Sequence, residues 1–463
     1  MSIGETIAAV STPRGTGGVA VIRITGDGTR EVLGSVFIPA GGGSVFDRPA
    51  REAVYGTLRR PDGAVVDRVV ATFFKGPHSF TGEDVAEISC HGGVAVTAAV
   101  LETVLEAGAV QAGPGEFTRR AFINGKMTLS EAEATGLLIS ADTPERMKLA
   151  GAAANGVLSR RISSVSGKLS SALASLCAVI DFPDELVEDD NIDPEGEILA
   201  AVRGARADID AILATYRRGS AVVGGVRTVI CGAPNVGKSS LFNALTGEDD
   251  AIVTEIAGTT RDVLRRTVSF GGVTLLLSDT AGLRDSSETV ESIGVERAKK
   301  EAENSELILA VFDGSRSLSE DEKKMIPSFP ETAKIAVINK KDLPAGMTGE
   351  DAELAGELFD AVVHVSAKDG DTGELESAVS SLFDGGTVDL TRDPVIWDAR
   401  RRADLRVAAE LLGRAGEILS SGGPADAACA LCEEAESRVA MTDGRGVSEA
   451  VLSEIFSRFC VGK

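Results

Sequence analysis

The segment Gly232-Ala233-Pro234-Asn235-Val236-Gly237-Lys238-Ser239 has the glycine, lysine and hydroxyl spacing of a phosphate-binding loop. It follows the β-branched run Val226-Arg227-Thr228-Val229-Ile230 and precedes the apolar Leu241, Phe242 and Leu245, so the order is strand, loop, helix. Gly232 and Gly237 let the backbone turn tightly, and successive N–H groups can then point inward at phosphate oxygens. Lys238 supplies a point charge for the β and γ phosphates, and the Ser239 hydroxyl suits Mg²⁺.

Three more motifs follow in order, each after an apolar strand-like run. After Val273 to Leu277 comes Asp279-Thr280-Ala281-Gly282, where Asp279 suits the Mg²⁺ shell and the Gly282 N–H the γ phosphate. After Ala336-Val337-Ile338 comes Asn339-Lys340-Lys341-Asp342, whose Asp342 can accept two N–H bonds from a guanine edge, a pairing adenine does not offer. After Val362 to Val365 comes Ser366-Ala367-Lys368. The ordered set points to guanine-nucleotide binding.

The hydrolytic device is less plain. Leu283, directly after Gly282, cannot orient a water as the glutamine of many small GTPases does. Asn235 can offer an amide oxygen to a monovalent cation beside the phosphates, or it can be a turn-stabilising amide. The segment Ala251 to Thr260 can add carbonyl oxygens to such a cation, and Thr260 is the natural Mg²⁺ ligand of the first switch. A cation there would do the electrostatic work of an arginine finger. Glu291 can position water, or be a solvated acid at a helix start.

At 463 residues the chain exceeds one core and suggests three domains. It is 43% hydrophobic, 25% charged and only 4% aromatic. No uninterrupted apolar run reaches a membrane span, and residues 1–20 lack a basic start with an apolar block, so a cytoplasmic enzyme is expected. Six cysteines make no disulfide framework, and the lone pair Cys429 and Cys432 reads as small buried residues rather than a metal site. The net charge of −23 argues against autonomous binding of nucleic acid. Residues 1–130 carry 12 basic and 13 acidic side chains, so nearly all the excess acid lies further along. A basic partner is therefore expected wherever a polyanion is handled.

Residues 1–126 read as an α+β domain, with strand-like runs Val19 to Ile24, Val65 to Phe74 and Val85 to Ser89 and a helical stretch from Val94 to Leu105. Leu158, Ile162, Val165, Leu169, Leu173, Leu176 and Ile180 form one stripe of a long helix, which Pro183 must end. Leu405, Ala408, Leu412, Ala415 and Leu419 repeat that rhythm. The expected architecture is a multidomain one: an N-terminal α+β domain, a discontinuous α-helical domain (127–219 and 386–463) and an inserted α/β P-loop GTPase (Ras-like) domain at 220–385.

Arg23, between Ile22 and Ile24, and Glu87, between Ala86 and Ile88, are either solvated strand residues or an anion grip and an amidine grip. Cys460 is either a nucleophile or a small residue docking the tail.

The strings GAPNVGKSSLFNAL, AIVTEIAGTTRDV, SDTAGLRDSSETVESIGVERA, GGVAVIRITG, FTGEDVAEISCHGG, DFPDE and the final Phe459-Cys460-Val461-Gly462-Lys463 resemble the MnmE (TrmE) family of tRNA-modification GTPases, across essentially the whole chain. Val461 stands where isoleucine is usual. The resemblance implies GTP contacts at Asn235, Val236, Gly237, Lys238 and Ser239, at Thr254, Glu255, Ile256, Ala257, Gly258, Thr259 and Thr260, at Asp279 to Gly282 and at Asn339 to Asp342. It implies Mg²⁺ on Ser239 and Thr260, K⁺ on Asn235, Thr254, Ile256 and Thr259, and water orientation by Glu291. It also implies a one-carbon tetrahydrofolate (methylene or formyl form) held by Arg23, Glu87, Lys126 and Lys463, which makes Cys460 a candidate in one-carbon transfer. The implied partners are an FAD-binding MnmG-like protein, a second copy joined through the N-terminal domain, and tRNA met mainly through the partner complex. The implied reaction adds an aminomethyl or carboxymethylaminomethyl group to a wobble uridine. A ribosome-assembly GTPase would instead call for a basic RNA-binding appendage or a second GTPase domain, and a regulatory switch would need no folate.

Overall fold

A computed structural model of the chain describes residues 4–181, 194–247, 265–278, 304–383 and 388–462. The chain divides into two compact units, residues 1–136 with 443–463, and residues 137–442.

The first unit is built on a seven-stranded sheet: β1 (Ile7–Val10), β2 (Val19–Thr25), β3 (Phe37–Pro39), β4 (Ala53–Arg59), β5 (Val65–Phe74), β6 (Val85–His91) and β7 (Val110–Gln111), in the order β3-β4-β5-β6-β2-β1-β7. All neighbours are antiparallel except β1 and β7. Alternation sends Ile22, Ile24, Ala86, Ile88, Val69 and Ala71 to one face, where they pack with Val32, Leu33, Val100 and Val104 of the helices Thr29–Val36 and Val94–Glu106. Period two then puts Arg23 and Glu87 on the opposite face, directly across from each other in register.

The C-terminal segment belongs to this unit. Leu452 and Phe456, on the helix Glu449–Ser457, bury against Leu129 and Ala132. Val461 then bridges Pro114, and the Ser11 hydroxyl donates to the Gly462 carbonyl at 3.0 Å. Gly462 has φ 91°, and a Cβ there would lie 2.2 Å from the Val10 oxygen, so only glycine lets the tail come this close. The sequence rhythm assigns 386–463 to one helical segment; packing joins its last part, from Asp443 onward, to the first unit.

In the second unit the helices Val157–Asp181, Pro194–Ala214, Ala399–Ser420 and Ala425–Thr442 share one core. It contains the stripe from Leu158 to Leu176 and the residues Leu405, Ala408, Leu412 and Ala415. Each fully buried leucine there contributes roughly 1.5–3 kcal/mol. Ile180, the last residue of the expected stripe, is exposed near the helix end. Helix Val157–Asp181 is long and apolar enough to cross a membrane by length and composition. Its apolar residues are one-sided, however, and enter this core while Arg160, Arg161 and Lys168 occupy the exposed side.

Between these helical segments in sequence lie β8 (Val226–Cys231), β9 (Arg265–Phe270), β10 (Val273–Ser278), β11 (Leu307–Asp313), β12 (Ala333–Asn339) and β13 (Ala361–His364). They form a sheet in the order β13-β12-β11-β8-β10-β9, parallel except for the β9–β10 hairpin. Apolar clusters cover both faces, as a parallel sheet requires.

Candidate functional site

The phosphate-binding loop leaves the end of β8 and enters the helix Lys238–Thr246, so it sits at the carboxyl ends of parallel strands, where open α/β sheets bind ligands. Gly237, at φ 101°, is the residue before that helix. A Cβ on it would stand 2.1 Å from Asn339 Nδ2, so the close approach of two motifs depends on glycine. Lys238 donates from Nζ to the carbonyls of Gly232 (2.9 Å) and Ala233 (2.7 Å), which curls its ammonium over the loop. Burial pushes the Lys238 ammonium below its usual range, and burial drives the Cys231 thiol beneath it up to about 12. An ammonium half-stripped of water and held by two neutral carbonyls is poised to trade them for phosphate oxygens.

Asn339 is buried and acts as a clamp. Its Nδ2 donates to the Val236 carbonyl at 2.9 Å, and its Oδ1 accepts the Ala367 N–H at 3.0 Å. One side chain thus ties the phosphate loop to the Ser366-Ala367-Lys368 loop. The buried Ser366 hydroxyl lies 2.7 Å from Asp369 Oδ2 and 3.2 Å from Asp342 Oδ1, and its one proton serves the shorter contact first. Lys340 has φ 67° and reaches Asp313 Oδ2 at 2.7 Å. Burial alone would raise the Asp313 carboxyl, but hydrogen bonds from Lys340 and Ser315 outweigh it and hold it at about 2. Lys341 is exposed and pairs with Asp371 (3.3 Å) and Glu374 (3.1 Å). Lys368 is exposed at the same loop.

Among the described residues three non-glycine positions have a left-handed φ, and two of them, Asn235 (62°) and Lys340, lie here. Such backbone strain gathers at ligand sites. Asn235 and Ser239 are exposed, and neither side chain has a hydrogen-bond partner among the described residues. Thr254 to Thr260, Asp279 to Gly282 and Glu291 lie outside the described residues.

The second group of expected residues is in the first unit. Arg23 donates from Nε (2.9 Å) and Nη2 (2.7 Å) to one oxygen of Glu87, beneath the rings of Phe80 and Phe117, whose centroids are 5.4 and 5.8 Å from the guanidinium carbon. Lys126 bonds elsewhere: its Nζ donates to the Pro77 carbonyl at 2.9 Å and it lines a cleft of about 490 Å³ with Asn124, Glu83 and Asp84. Cys460 is exposed, and its carbonyl accepts the Gly115 N–H at 3.4 Å. Lys463 lies outside the described residues. The second Glu87 oxygen can accept from the N–H edge of a pterin, whereas an incoming anion would have to share the Arg23 guanidinium with Glu87.

Two features escaped sequence reasoning. Asp313, which fixes Lys340, is the last residue of an apolar strand, and that abrupt acid was the available signal. Arg120 is buried and bridges Glu83 and Glu116, each at 3.2 Å, a triad that only folding assembles. Cys429 and Cys432 are both buried, and burial lifts both thiols to about 11; no group of three metal-ligating side chains occurs among the described residues.

A parallel sheet with a phosphate loop and guanine-type motifs at its carboxyl edge makes this protein a P-loop GTP hydrolase that binds GTP and GDP. Residues 6–126 match the family model for the GTP-binding protein TrmE N-terminus, and residues 129–460 match the MnmE helical domain. The chain is 38% identical over 475 residues to the tRNA modification GTPase MnmE of Roseiflexus sp. (strain RS-1), covering 100% of both chains. It is 39% identical over 465 residues to the protein of that name from Chloroflexus aurantiacus, again covering 100% of both. The chain belongs to the MnmE (TrmE) family of tRNA modification GTPases.

Proposed function

We propose that this protein is a K⁺-dependent GTPase that works with an MnmG-like flavoprotein to add an aminomethyl or carboxymethylaminomethyl group to the wobble uridine of certain tRNAs. The reading is carried by the whole-length family match together with the free, strained Asn235 in the phosphate loop. Backbone N–H groups from Asn235 to Ser239 bind the phosphates, Lys238 offsets β and γ charge, and Asp342 accepts from guanine. Ser239 and Thr260 would hold Mg²⁺; Asn235, with Thr254, Ile256 and Thr259, would hold K⁺. Bound there, these cations would supply positive charge where negative charge develops in the transition state. Glu291 orients the attacking water, the role that Leu283 cannot fill.

In the first unit, Glu87 grips the amidine-like edge of a one-carbon tetrahydrofolate, and Arg23, Lys126 and Lys463 balance its carboxylates. Cys460, exposed on a tail pinned by Gly462, would serve covalent or base chemistry near that cofactor. The protein would pair as a homodimer through its N-terminal domain, and delivery of tRNA mainly by the partner complex agrees with the chain's net charge of −23. Residues 220–385 act as a nucleotide-driven insert between two helical flanks.

The test is steady-state GTP hydrolysis in KCl against NaCl, with and without Asn235→Ala. The expected result is strong K⁺ stimulation that the substitution abolishes. Equal, slow turnover in both salts would overturn the cation reading and favour a regulatory switch.

A further inference from the structure

The hairpin β9–β10 has a special position in the chain. It begins at Arg265, directly after the segment carrying Thr254 to Thr260, and ends at Ser278, directly before Asp279. A displacement of the chain on either side of residues 265–278 would pull on one end of this hairpin. Its middle is held by residues that lie outside the expected GTPase domain.

Those residues are the start of the helix Pro144–Ala154. Thr143, its N-cap and buried, lies 3.4 Å from the fully buried Thr274 hydroxyl of β10. Glu145 accepts a hydrogen bond from the Ser269 hydroxyl of β9. Arg146 has three guanidinium nitrogens bonded: Nε to the Val222 carbonyl (3.0 Å), Nη2 to the Val223 carbonyl (2.8 Å) and Nη1 to Asp142 (2.5 Å). Val222 and Val223 close the helix Tyr216–Val223, so Arg146 places positive charge on orphan carbonyls at a helix C-terminus. The Val222 carbonyl also accepts from Thr274 at 2.8 Å. One carbonyl is therefore shared by the hairpin and by the helical segment, and the Arg146 side chain is only 14% exposed.

We propose that Thr143, Glu145 and Arg146 form a coupling joint that carries movement of the β9–β10 hairpin into the helix Pro144–Ala154, with Arg146 as the positioning residue. The inference rests on the GTPase reading but not on K⁺, folate or the flavoprotein. Hydrogen-bonded networks of this kind carry coupling when both ends have two arrangements. Among the described residues, the Arg146 side chain bonds to Val222, Val223 and Asp142 and to no residue of the phosphate loop. Its loss leaves the chemical step in place and disconnects that step from the helices.

The test is hydrogen exchange of the full chain with GDP and with GDP plus aluminium fluoride, for the wild type and Arg146→Gln. In the wild type, peptides from both β9–β10 and 144–154 change protection between the two nucleotide states. In Arg146→Gln the hairpin keeps its change, the 144–154 change falls by about tenfold in exchange rate ratio, and GTP turnover stays within about twofold. Arg146→Lys does not restore the response, because one ammonium cannot span two carbonyls and a carboxylate. A nucleotide response in 144–154 that survives Arg146→Gln, or that is missing in the wild type, overturns the proposal. If Arg146→Gln does not fold, Glu145→Ala, which removes the acceptor of an exposed bond, must weaken the same response in part; an unchanged response overturns it equally. Failure of the GTPase reading would show separately, as loss of the hairpin response in the wild type.

Discussion

The two candidate sites are built by opposite means. At the phosphate loop the binding groups are backbone N–H groups at strand ends, and side chains such as Asn339 and Ser366 serve mainly to clamp one loop to another. On the seven-stranded sheet the groups are side chains in mid-strand, and Arg23 already spends its charge on Glu87. A backbone cradle is fixed by a short local string with glycines at set positions. A side-chain pair on a sheet face is fixed by register between strands far apart in sequence. The first kind of site keeps its charge open for ligand, while the second holds it neutralised until a ligand competes.

Substitutions sharpen that contrast. Lys238→Ala should lower GTP turnover about 10²–10³-fold with little change in folding, measured by steady-state hydrolysis and thermal melting. Gly237→Ala should cost about 2 kcal/mol or more, since its Cβ meets Asn339 and its φ is left-handed; a melting point equal to wild type would break the view that the cradle depends on backbone.

Asp313→Asn tests the support of Lys340. The Asp313 carboxyl is held at about 2 against an ordinary 3.8, so its contribution is present above pH ~4 and is lost as pH falls toward 2. The variant should lose about 2 kcal/mol at neutral pH and show a flatter acid limb in denaturation curves taken from pH 6 to 3. The smallest effect belongs to the sheet face. Arg23→Ala should cost about 1 kcal/mol and weaken tetrahydrofolate binding by calorimetry while GTP turnover stays at the wild-type rate. A fall in GTP turnover equal to that of Lys238→Ala would erase the distinction between the sites.

Much of the second unit was legible because its signals are local. Period-four stripes marked the long helices, and the phosphate loop, Asn339 to Asp342 and Ser366 to Lys368 each follow a strand that the structure contains. Less was legible in the first unit. β1, β3, β4 and β7 are short or weakly patterned, and their place in the sheet comes from pairing rather than composition. The anchoring of Lys340 by Asp313 and the Arg120 triad were equally hidden, because each joins residues from different elements.

By itself the sequence determined the class of chemistry, a P-loop GTP hydrolase, and the family to which the motif set belongs, since those groups are consecutive and their spacing is a matter of glycine, lysine and hydroxyl placement. Only tertiary structure decided that Asp443 onward packs with the first unit, that Arg23 is neutralised by Glu87, and that Arg146 shares a carbonyl with the β9–β10 hairpin. Each of those depends on contacts across long sequence separations, whose pairing is set by burial and register and leaves no local mark in the chain.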